Sequence, residues 1–586
     1  MAEQVILGIP TAPGIVIGDC FLFRHSEPEF TEYCIIESER VHEITRFHNA
    51  VKTTERQLKA LREQIARQVG ETVARIFDAQ ALILEDVEFI GAIENGIKND
   101  GLNAESVTQN IARRYHDSFV ALEDSKFREQ AQDICDVSRR LIRNLVGSSV
   151  SSVGPLDRPA ILVTDDLVPS DVIHLMRENV LAVVADLGSA ASHTAILTRS
   201  LEVPSVVGLK DISNKVKNGD RIVVNGNSGK VIIHPAGSTV RSYRLKIQRY
   251  EKYRESLKDI EKLPAETTDG HRVILRVNIE LAQELSAVIS KGGEGVGLFR
   301  TEYLILSRNH LPSEDEQYEE YRKVIERIAP HPVTIRTFDL GGDKMFANLP
   351  MPVEANPFMG WRAIRVSLDQ PAMLRNQLRA ILRASASGQA RVMFPLLSGL
   401  GELRQIKAHY EDIIGELKKE GLPFGENLKL GVMIELPAAA IMADKIAREV
   451  DFFSIGTNDL TQFTLAVDRG NDQVKGLYQP LHPAMIRLIK MTVDAGHQNG
   501  IETAMCGEMA ANPVATMLLV GLGLDELSVS PIALPEVKKL IRSMSYEEAK
   551  QMVQHALTLD TSEELIDYCR NMMKHRFADL PIWFNG

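Results

Sequence analysis

The chain has 586 residues and a formal net charge of −12, with 44% hydrophobic and 25% charged residues. Its length implies several domains, and its acidic balance argues against general nucleic-acid binding, which needs Lys and Arg to neutralise phosphates. No apolar run approaches the roughly 20 residues that a membrane-spanning helix requires. Five scattered cysteines without CxxC spacing argue against a disulfide framework or a zinc site. We therefore expect a cytoplasmic protein without a signal peptide, binding neither nucleic acid nor membrane.

The first part of the chain alternates between strand-like and helical patterns. Residues 5–24 form short apolar runs broken by Gly and Pro, which are typical of strands. From about Glu37, apolar residues recur at three- and four-residue steps, which indicates amphipathic helices. Strand-like runs return after this block. We predict a small α/β domain made of residues 1–36 and 145–236, interrupted by an inserted helical domain over 37–144.

The second part of the chain follows a charged segment, 237–262, which predicts a connecting helix. From residue 263 to 586, eight apolar runs alternate with helical stretches, the signature of a (β/α)8 TIM barrel. These runs are Val273–Asn278, Val296–Arg300, Val333–Asp339, Arg391–Pro395, Gly431–Glu435, Phe452–Asn458, Glu502–Cys506 and Glu526–Ser530. The predicted fold class is therefore multidomain α/β, with a C-terminal TIM barrel.

Charged side chains end several predicted barrel strands, at the face where TIM-barrel active sites form. Such groups are costly there unless they meet a ligand or each other. Arg300, Arg336 and Arg469 carry forked donors suited to phosphate and carboxylate. Glu435 and Asp459 offer the hard oxygen ligands that Mg²⁺ prefers. One such residue alone is more often a structural ion pair, but the set predicts a Mg²⁺ site for a small phosphorylated anion.

Two further residues invite a chemical and a structural interpretation. Cys506 follows an apolar run and could act as an acid or a nucleophile, although a buried small hydrophobe is the better interpretation of a cysteine alone. His193 follows the small residues of GSAAS and begins a predicted helix, whose N-terminus suits a phosphoryl group. Imidazole is a competent nucleophile, and Arg199 could neutralise added phosphate, but a lone histidine is more often a core or capping residue.

Taken together, the motifs of the chain resemble the Enzyme I family of the bacterial phosphotransferase system. The resemblance covers essentially the whole chain, and the motifs stand in the family's order. They are GIPTAPGIVIG, SHTAILTRSLEVP, GVGLFRTEYL, IRTFDLGGDK, NPFMGWRAIR, FFSIGTNDLTQFTLAVDRGND, and MCGE followed by GLDELS. The resemblance implies transfer of a phosphoryl group from phosphoenolpyruvate to the enzyme and then to the histidine phosphocarrier protein HPr, with release of pyruvate. This is the first step of sugar uptake or of its regulation.

The resemblance also implies roles for the matching residues. His193 would be phosphorylated on Nε2, and Cys506 would protonate the enolate carbon as pyruvate forms. Substrate binding would fall to Arg300, Arg336, Asn458, Asp459 and Arg469, with Lys344 and Arg362 as further basic residues, and Mg²⁺ would be held by Glu435 and Asp459. The helical insert would dock HPr, and the barrel would form a homodimer.

Some positions depart from the family pattern, and two rival functions stay open. The stretch usually written GGxTSH is GSAASH here, with Ser189 and Ala191 at the changed positions, and Gln80 stands where some members have histidine. One rival is an enzyme like phosphoenolpyruvate synthase or pyruvate phosphate dikinase, which carries an ATP-binding domain for which the helical block has no room. The other is a non-catalytic regulator that senses phosphoenolpyruvate.

Overall fold

The structure, a computed structural model, describes residues 2–23, 29–68, 71–120, 125–147, 158–167, 179–188, 193–201, 203–306, 310–342, 354–471 and 473–577. These residues fall into two compact units that divide between Tyr253 and Arg254. Within the described ranges, no helix is both long enough and apolar enough to cross a membrane.

The first unit is built on a mixed eight-stranded sheet. Its strands are β1 (Gln4–Leu7), β2 (Ile9–Ala12), β3 (Ile15–Phe23), β4 (Ala160–Thr164), β5 (Val180–Ala185), β6 (Ser205–Val207), β7 (Arg221–Asn225) and β8 (Lys230–Ile233). They pair in the order β1-β8-β7-β3-β4-β5-β6-β2. Strands β3 to β6 are parallel to one another, whereas β1, β2, β7 and β8 pair antiparallel with their neighbours.

A helical block is inserted between β3 and β4. Its helices are α1 (Arg40–Gln68), α2 (Glu71–Glu85), α3 (Val87–Asp100), α4 (Ala104–Val120) and α5 (Ser125–Val146). The apolar stripe of α1 is buried at Phe47, Leu58 and Ile65, as its three- and four-residue spacing predicts. The helices share one apolar core with Phe23 and Leu162 of the sheet. The domain limits of residues 37–144 and 145–236 therefore stay a prediction.

Two more helices complete this part of the chain. Helix α6 (His193–Ser200) begins at the candidate histidine and is followed by β6. Helix α7 (Gly237–Lys258) lies where the charged segment predicts a connecting helix, and only Tyr243 of its residues is buried. The limits of the predicted linker, 237–262, remain a prediction.

The second unit is a closed barrel of eight parallel strands, which confirms the predicted fold class. The strands are β9 (Ile274–Ile279), β10 (Val296–Phe299), β11 (Val333–Arg336), β12 (Ala390–Phe394), β13 (Lys429–Ile434), β14 (Phe452–Ile455), β15 (Glu502–Met505) and β16 (Glu526–Val529). The sheet closes by pairing β16 with β9. Each apolar run of the sequence contains one of these strands or overlaps it.

Helices follow the strands around the barrel. They are α8 (Leu285–Ser290), α9 (Tyr303–Leu306), α10 (Glu314–Ile328), α11 (Ile364–Asp369), α12 (Pro371–Ala384), α13 (Leu400–Glu420), α14 (Pro437–Ile441), α15 (Ala443–Ile446), α16 (Thr457–Leu465), α17 (Pro483–Gln498), α18 (Thr516–Gly521), α19 (Leu534–Arg542), α20 (Tyr546–Ala556) and α21 (Ser562–Arg576). Two expected strand ends are wrong. Strand β11 stops at Arg336, before Asp339, and β14 stops at Ile455, so Asn458 and Asp459 belong to the first turn of α16.

The inside of the barrel is layered. Near the N-terminal ends of the strands, the buried carboxylate of Glu526 pairs with Arg276 and with Arg391, which lies 3.6 Å away. Above it lies an apolar layer, formed by Leu298, Met393, Met433, Phe452 and Cys506. This layer separates the lower charges from the charged residues at the C-terminal ends of the strands.

Removing the carboxylate of Glu526 is expected to destabilise the barrel. Glu526→Ala would leave the guanidiniums of Arg276 and Arg391 without this partner, and breaking a buried pair costs about 3–5 kcal/mol. Urea unfolding followed by circular dichroism measures the loss. The control, Arg272→Ala, removes an exposed partner of Glu294 and should cost under about 1 kcal/mol. Equal losses would contradict a structural role for the buried network.

Candidate active site

Six charged residues meet at the C-terminal ends of the barrel strands. We call this group the charged cluster: Glu302, Arg336, Asp339, Arg362, Glu435 and Asp459, all of them buried. It holds two guanidiniums and four carboxylates, so a dry interior tolerates it only through close pairing. Three of its members are predicted from the ends of the apolar runs in the sequence: Arg336, Glu435 and Asp459.

Arg336, the last residue of β11, is held by two carboxylates. Its Nη2 donates to Glu302 Oε1 at 2.9 Å, and its Nη1 lies 3.4 Å from Asp339 Oδ2. Glu302 also accepts the backbone N–H of Asp339 at 2.9 Å, which ties the two carboxylates together. Burial alone would lower the pKa of Arg336, but Glu302 and Asp339 outweigh it and raise the pKa. Arg336 is therefore a fixed cation at the barrel mouth.

Arg362 bridges two carboxylates from different parts of the barrel. Its Nε and Nη2 donate to Asp339 at 2.9 and 3.1 Å, while Nη1 and Nη2 donate to the two oxygens of Asp459 at 3.0 and 3.3 Å. Gly341 lets the two loops approach, since a Cβ there would meet the carbonyl oxygen of Trp361 at 2.4 Å. The paired carboxylates raise the pKa of Arg362 against the opposing effect of burial.

Glu435 directly follows β13, and among the described residues it is the carboxylate of the cluster that forms no ion pair. It accepts the backbone N–H of Leu396, and Gly456 leaves room for it, because a Cβ there would come within 3.1 Å of Oε2. Burial raises the pKa of Glu435, and the negative charges of Asp459 and Asp339 raise it further. A cation brought to this position would relieve that repulsion.

Cys506 follows β15 and lies at the top of the apolar layer. Its Sγ is 3.8 Å from the carbonyl oxygen of Ile455, and its own carbonyl accepts Asn278 Nδ2 at 3.0 Å. Ser528 in turn donates to Asn278 Oδ1 at 2.7 Å. Burial raises the pKa of the thiol to about 11. Cys506 therefore carries its proton at neutral pH, which suits a proton donor.

The remaining predicted barrel residues lie around this cluster. Asn458 exchanges two hydrogen bonds with Glu508, through its Nδ2 at 3.0 Å and its Oδ1 at 2.9 Å. Arg300 follows β10 and pairs with Glu280 at 2.9 Å. Arg469 lies in an exposed loop after α16, and its backbone N–H donates to Gln462 at 3.3 Å. None of these contacts joins the three residues to the charged cluster.

The predicted residues of the first unit, His193 and Arg199, belong to α6. The backbone of His193 starts α6, but its side chain lies outside the described part of the structure, as do Ser189 and Ala191. Lys344 of the barrel also lies outside it. Arg199 is exposed on α6, and its Nε donates to the carbonyl oxygen of Thr11 at 3.2 Å.

The comparisons with known proteins agree over nearly the whole chain. Residues 254–546 match the family "PEP-utilising enzyme, PEP-binding domain", residues 7–130 the N-terminal family and residues 156–229 the mobile-domain family of the same enzymes. A phosphoenolpyruvate-protein phosphotransferase of Staphylococcus carnosus is 40% identical over 98% of this chain and 100% of its own. That of Haemophilus influenzae is 40% identical over 96% and 98%. The chain belongs to the phosphoenolpyruvate-protein phosphotransferases.

A solved structure overlaps part of the chain. An NMR structure of Enzyme I (nEIt) is 33% identical, covers 42% of this chain and 99% of that one, and gives a TM-score of 0.35. The phosphotransferase family to which the chain belongs is enzymatic, and PEP-utilising enzymes generally depend on a metal ion.

Sequence reasoning misses two members of the charged cluster in this phosphotransferase. Glu302 lies in GVGLFRTEYL and Asp339 in IRTFDLGGDK, motifs that already draw attention through Arg300 and Arg336. The predicted strand extends to Asp339, whereas the strand in the structure ends at Arg336. The sequence pattern therefore does not indicate that Asp339 lies beyond the strand end. A buried arginine needs a carboxylate partner, so the acidic residues next to each candidate arginine are the signal that could have found them.

The donor set of the cluster fits a divalent cation. The cluster holds two guanidiniums and four carboxylates, so its acidic groups outnumber its fixed cations. Among the described residues, no three His, Cys, Asp or Glu side chains form a ready-made metal group. Mg²⁺ needs only one or two carboxylates when substrate oxygens and water complete its shell. Glu435 and Asp459 meet that requirement.

The buried thiol of Cys506 should resist alkylation. Iodoacetamide reacts with thiolates, and a thiol with a pKa of about 11 is protonated below that pH. At pH 8 we expect exposed Cys34 to be labelled long before Cys506, and the rate at Cys506 should keep rising up to pH values near 11. Peptide mass spectrometry of the labelled full chain measures both sites. Equal labelling rates at pH 8 would contradict the buried, protonated thiol.

Proposed function

We propose that this phosphotransferase moves the phosphoryl group of phosphoenolpyruvate to its own His193 and then to the phosphocarrier protein HPr, releasing pyruvate. The observation that carries the proposal is the buried charged cluster at the barrel mouth, with the protonated thiol of Cys506 on the layer below. Fixed cations suit a multiply anionic substrate, and a proton donor suits an enolate product. The reaction would be the first step of the phosphotransferase system, which serves sugar uptake or regulation.

In this proposal the arginines bind the substrate's anionic groups. Arg336 is held rigidly by Glu302 and Asp339, so it needs no reorganisation when the phosphate binds. Arg300 and Arg469 are more exposed and would reach the substrate from the rim, with Arg362 and Lys344 as further cations. Asn458 and Asp459, on the first turn of α16, would orient the substrate.

The phosphoryl transfer itself would take place at His193. Nε2 attacks phosphorus, a P–N bond forms, and the bond between phosphorus and the enol oxygen breaks. The phosphoryl group passes through a loose, highly anionic transition state, which positioned cations stabilise. Arg199, six residues after His193 on α6, is the cation of that helix that would help to neutralise the phosphohistidine.

Cys506 would complete the reaction by protonating the enolate. The leaving group is the enolate of pyruvate, and transfer of the thiol proton to its carbon gives pyruvate. The pKa of the thiol, raised to about 11 by burial, keeps the proton on sulfur until the enolate forms. Asn278, which binds the carbonyl of Cys506, fixes the backbone from which the thiol projects.

We further propose that the metal is Mg²⁺, held by Glu435 and Asp459. When bound, it would polarise the substrate's phosphate and enol oxygens as a Lewis acid. Glu435 supports this assignment because burial, and after it the charges of Asp459 and Asp339, raise its pKa, and a nearby cation would stabilise its carboxylate form. Asp459 supports it because its carboxylate is buried and close enough to Glu435 for its charge to raise the pKa of that residue.

The partners are proposed on surface chemistry. The junction of α2 and α3 exposes the apolar side chains of Leu82 and Val87 beside the carboxylates of Glu85 and Glu88, which suits a partner such as HPr that presents apolar and basic groups. Apolar side chains exposed on the barrel helices, such as Ile441, would support a homodimer. All five cysteines are free thiols, as expected for a reaction in the reducing cytoplasm.

The two rival functions have less support. The relatives that align over nearly the full chain are named phosphoenolpyruvate-protein phosphotransferases, which favours a protein acceptor over the synthase or dikinase reaction. A sensor would not require the protonated thiol of Cys506 at the site. Turnover distinguishes both rivals from the proposal.

Loss of His193 should abolish acceptance of the phosphoryl group. We expect the full chain, given phosphoenolpyruvate and Mg²⁺ without ATP, to gain acid-labile phosphate, and His193→Ala to gain none. Phosphate on the protein and pyruvate in solution are measured together. The matched control, His409→Ala on α13, should be labelled like the wild type. Label that persists in His193→Ala, or appears only with ATP, would refute the proposal.

Loss of the Cys506 thiol should separate binding from turnover. Cys506→Ala is expected to bind phosphoenolpyruvate with little change in KM but to release pyruvate at least about 100-fold more slowly, because general-acid catalysis contributes on that order. Steady-state pyruvate release measures the effect. The control Cys569→Ala removes the buried thiol of a residue on α21 and should keep the wild-type rate once folded. Unchanged pyruvate release in Cys506→Ala would remove this residue from the mechanism.

A further inference from the structure

Asp459 is a proposed metal ligand, yet both of its carboxylate oxygens are already engaged. Arg362 Nη1 donates to Oδ1 at 3.0 Å and Nη2 donates to Oδ2 at 3.3 Å. This fork-to-fork pairing is the strongest geometry that an arginine and a carboxylate adopt. Asp459 and Arg362 are both buried, so water does not weaken the contact. A cation at Asp459 would have to compete with a guanidinium that is already in place.

Arg362 also has a second carboxylate partner, which can hold its guanidinium without Asp459. Asp339 accepts its Nε at 2.9 Å and its Nη2 at 3.1 Å, and Asp339 is itself tied to Glu302 through its backbone N–H. The guanidinium can therefore release Asp459 and stay paired with Asp339. Asp339, itself bound to Glu302, would keep Arg362 near the barrel mouth in either arrangement.

The backbone next to Arg362 is strained. Ala363 has a φ of +52° and a ψ of −119°, a conformation that residues other than glycine rarely adopt. Its N–H donates to the carbonyl oxygen of Leu340 at 2.7 Å, which fixes the turn. Strain of this kind persists only where the surrounding contacts over-determine it, and it is common where a side chain must be aimed.

We propose that Arg362 holds Asp459 in place of the divalent cation, so that Asp459 becomes available to the metal only when the substrate's phosphate takes over the guanidinium. The inference rests on the function proposed above and deepens it, by making Arg362 a positioning residue that couples two binding events. A phosphate offers Arg362 the forked oxygen partner that it gives up at Asp459. Metal and substrate should then bind much more tightly together than either binds alone.

The test measures Mn²⁺ binding to the full-length protein, with free Mn²⁺ quantified by its electron paramagnetic resonance signal. Without phosphoenolpyruvate, Arg362→Gln should bind Mn²⁺ at least about tenfold more tightly than the wild type, because a charge-assisted bidentate contact no longer competes. A wild-type affinity, or a weaker one, in Arg362→Gln would overturn the proposal. Circular dichroism checks that the variant is folded.

A matched control separates direct competition from general electrostatics. Arg336→Gln removes an equally buried guanidinium that contacts Glu302 and Asp339 but, among the contacts described for it, not Asp459. Its gain in Mn²⁺ affinity should be well below that of Arg362→Gln. Equal gains in the two variants would mean that only net charge matters, and would overturn the proposal. If Arg362→Gln does not fold, Arg362→Lys keeps the charge without the fork and should show a smaller gain of the same sign.

Coupling is tested in a His193→Ala background, where phosphoenolpyruvate has no acceptor on the protein. Phosphoenolpyruvate should tighten Mn²⁺ binding strongly when Arg362 is present and much less in Arg362→Gln. Undiminished tightening in the double variant would overturn the proposal. Failure of the proposed function would be seen in a different measurement, because the wild-type protein would then gain no phosphate on His193. The Mn²⁺ affinities measured without phosphoenolpyruvate would still show whether Arg362 competes with the metal ion.

Discussion

The bridge from Asp339 through Arg362 to Asp459 is the contact on which the barrel mouth depends. It joins a loop after β11 to the first turn of α16, two elements far apart in the chain. A charge of either sign buried alone would cost several kcal/mol, so each member of the cluster keeps its place only because the others do. Burial raises the pKa of Glu435, and the negative charges of Asp459 and Asp339 raise it further. The excess of carboxylates around Glu435 is the feature that supports the metal ion proposed for this position.

The rest of the barrel keeps this cluster in place without taking part in it. The network around Glu526 ties the lower ends of the strands, and the apolar layer that includes Met433 isolates that network from the mouth. Cys506 lies at the border between the apolar layer and the charges, which explains a thiol that is both buried and next to a charged site. A proton is retained on sulfur because the surroundings disfavour the thiolate, while Asn278 and Ser528 fix the backbone behind it.

Much of the fold follows from patterns in the sequence. Eight apolar runs predict eight strands because a barrel strand is buried on both faces and cannot alternate with polar residues. The limits are less predictable, since Asp339 and Asn458 continue runs that end earlier in the structure. Of the candidate site, Arg336, Glu435, Asp459 and Cys506 can be found because they lie within, at the end of or directly after predicted apolar runs.

By itself, the sequence determined the order of the domains, the family to which the chain belongs and the residue types available for phosphoryl chemistry. Both the apolar spacing and the family motifs depend on residues that are close together in the sequence. Only the tertiary structure decided which charges meet. The pairing of Arg362 with Asp459 spans 97 positions, and Glu302 and Asp339 acquire their importance from the arginines that fold against them. Such pairings depend on which loops the closed barrel brings together at its strand ends. A buried charge is stable there only when a neighbouring loop supplies a group of opposite charge.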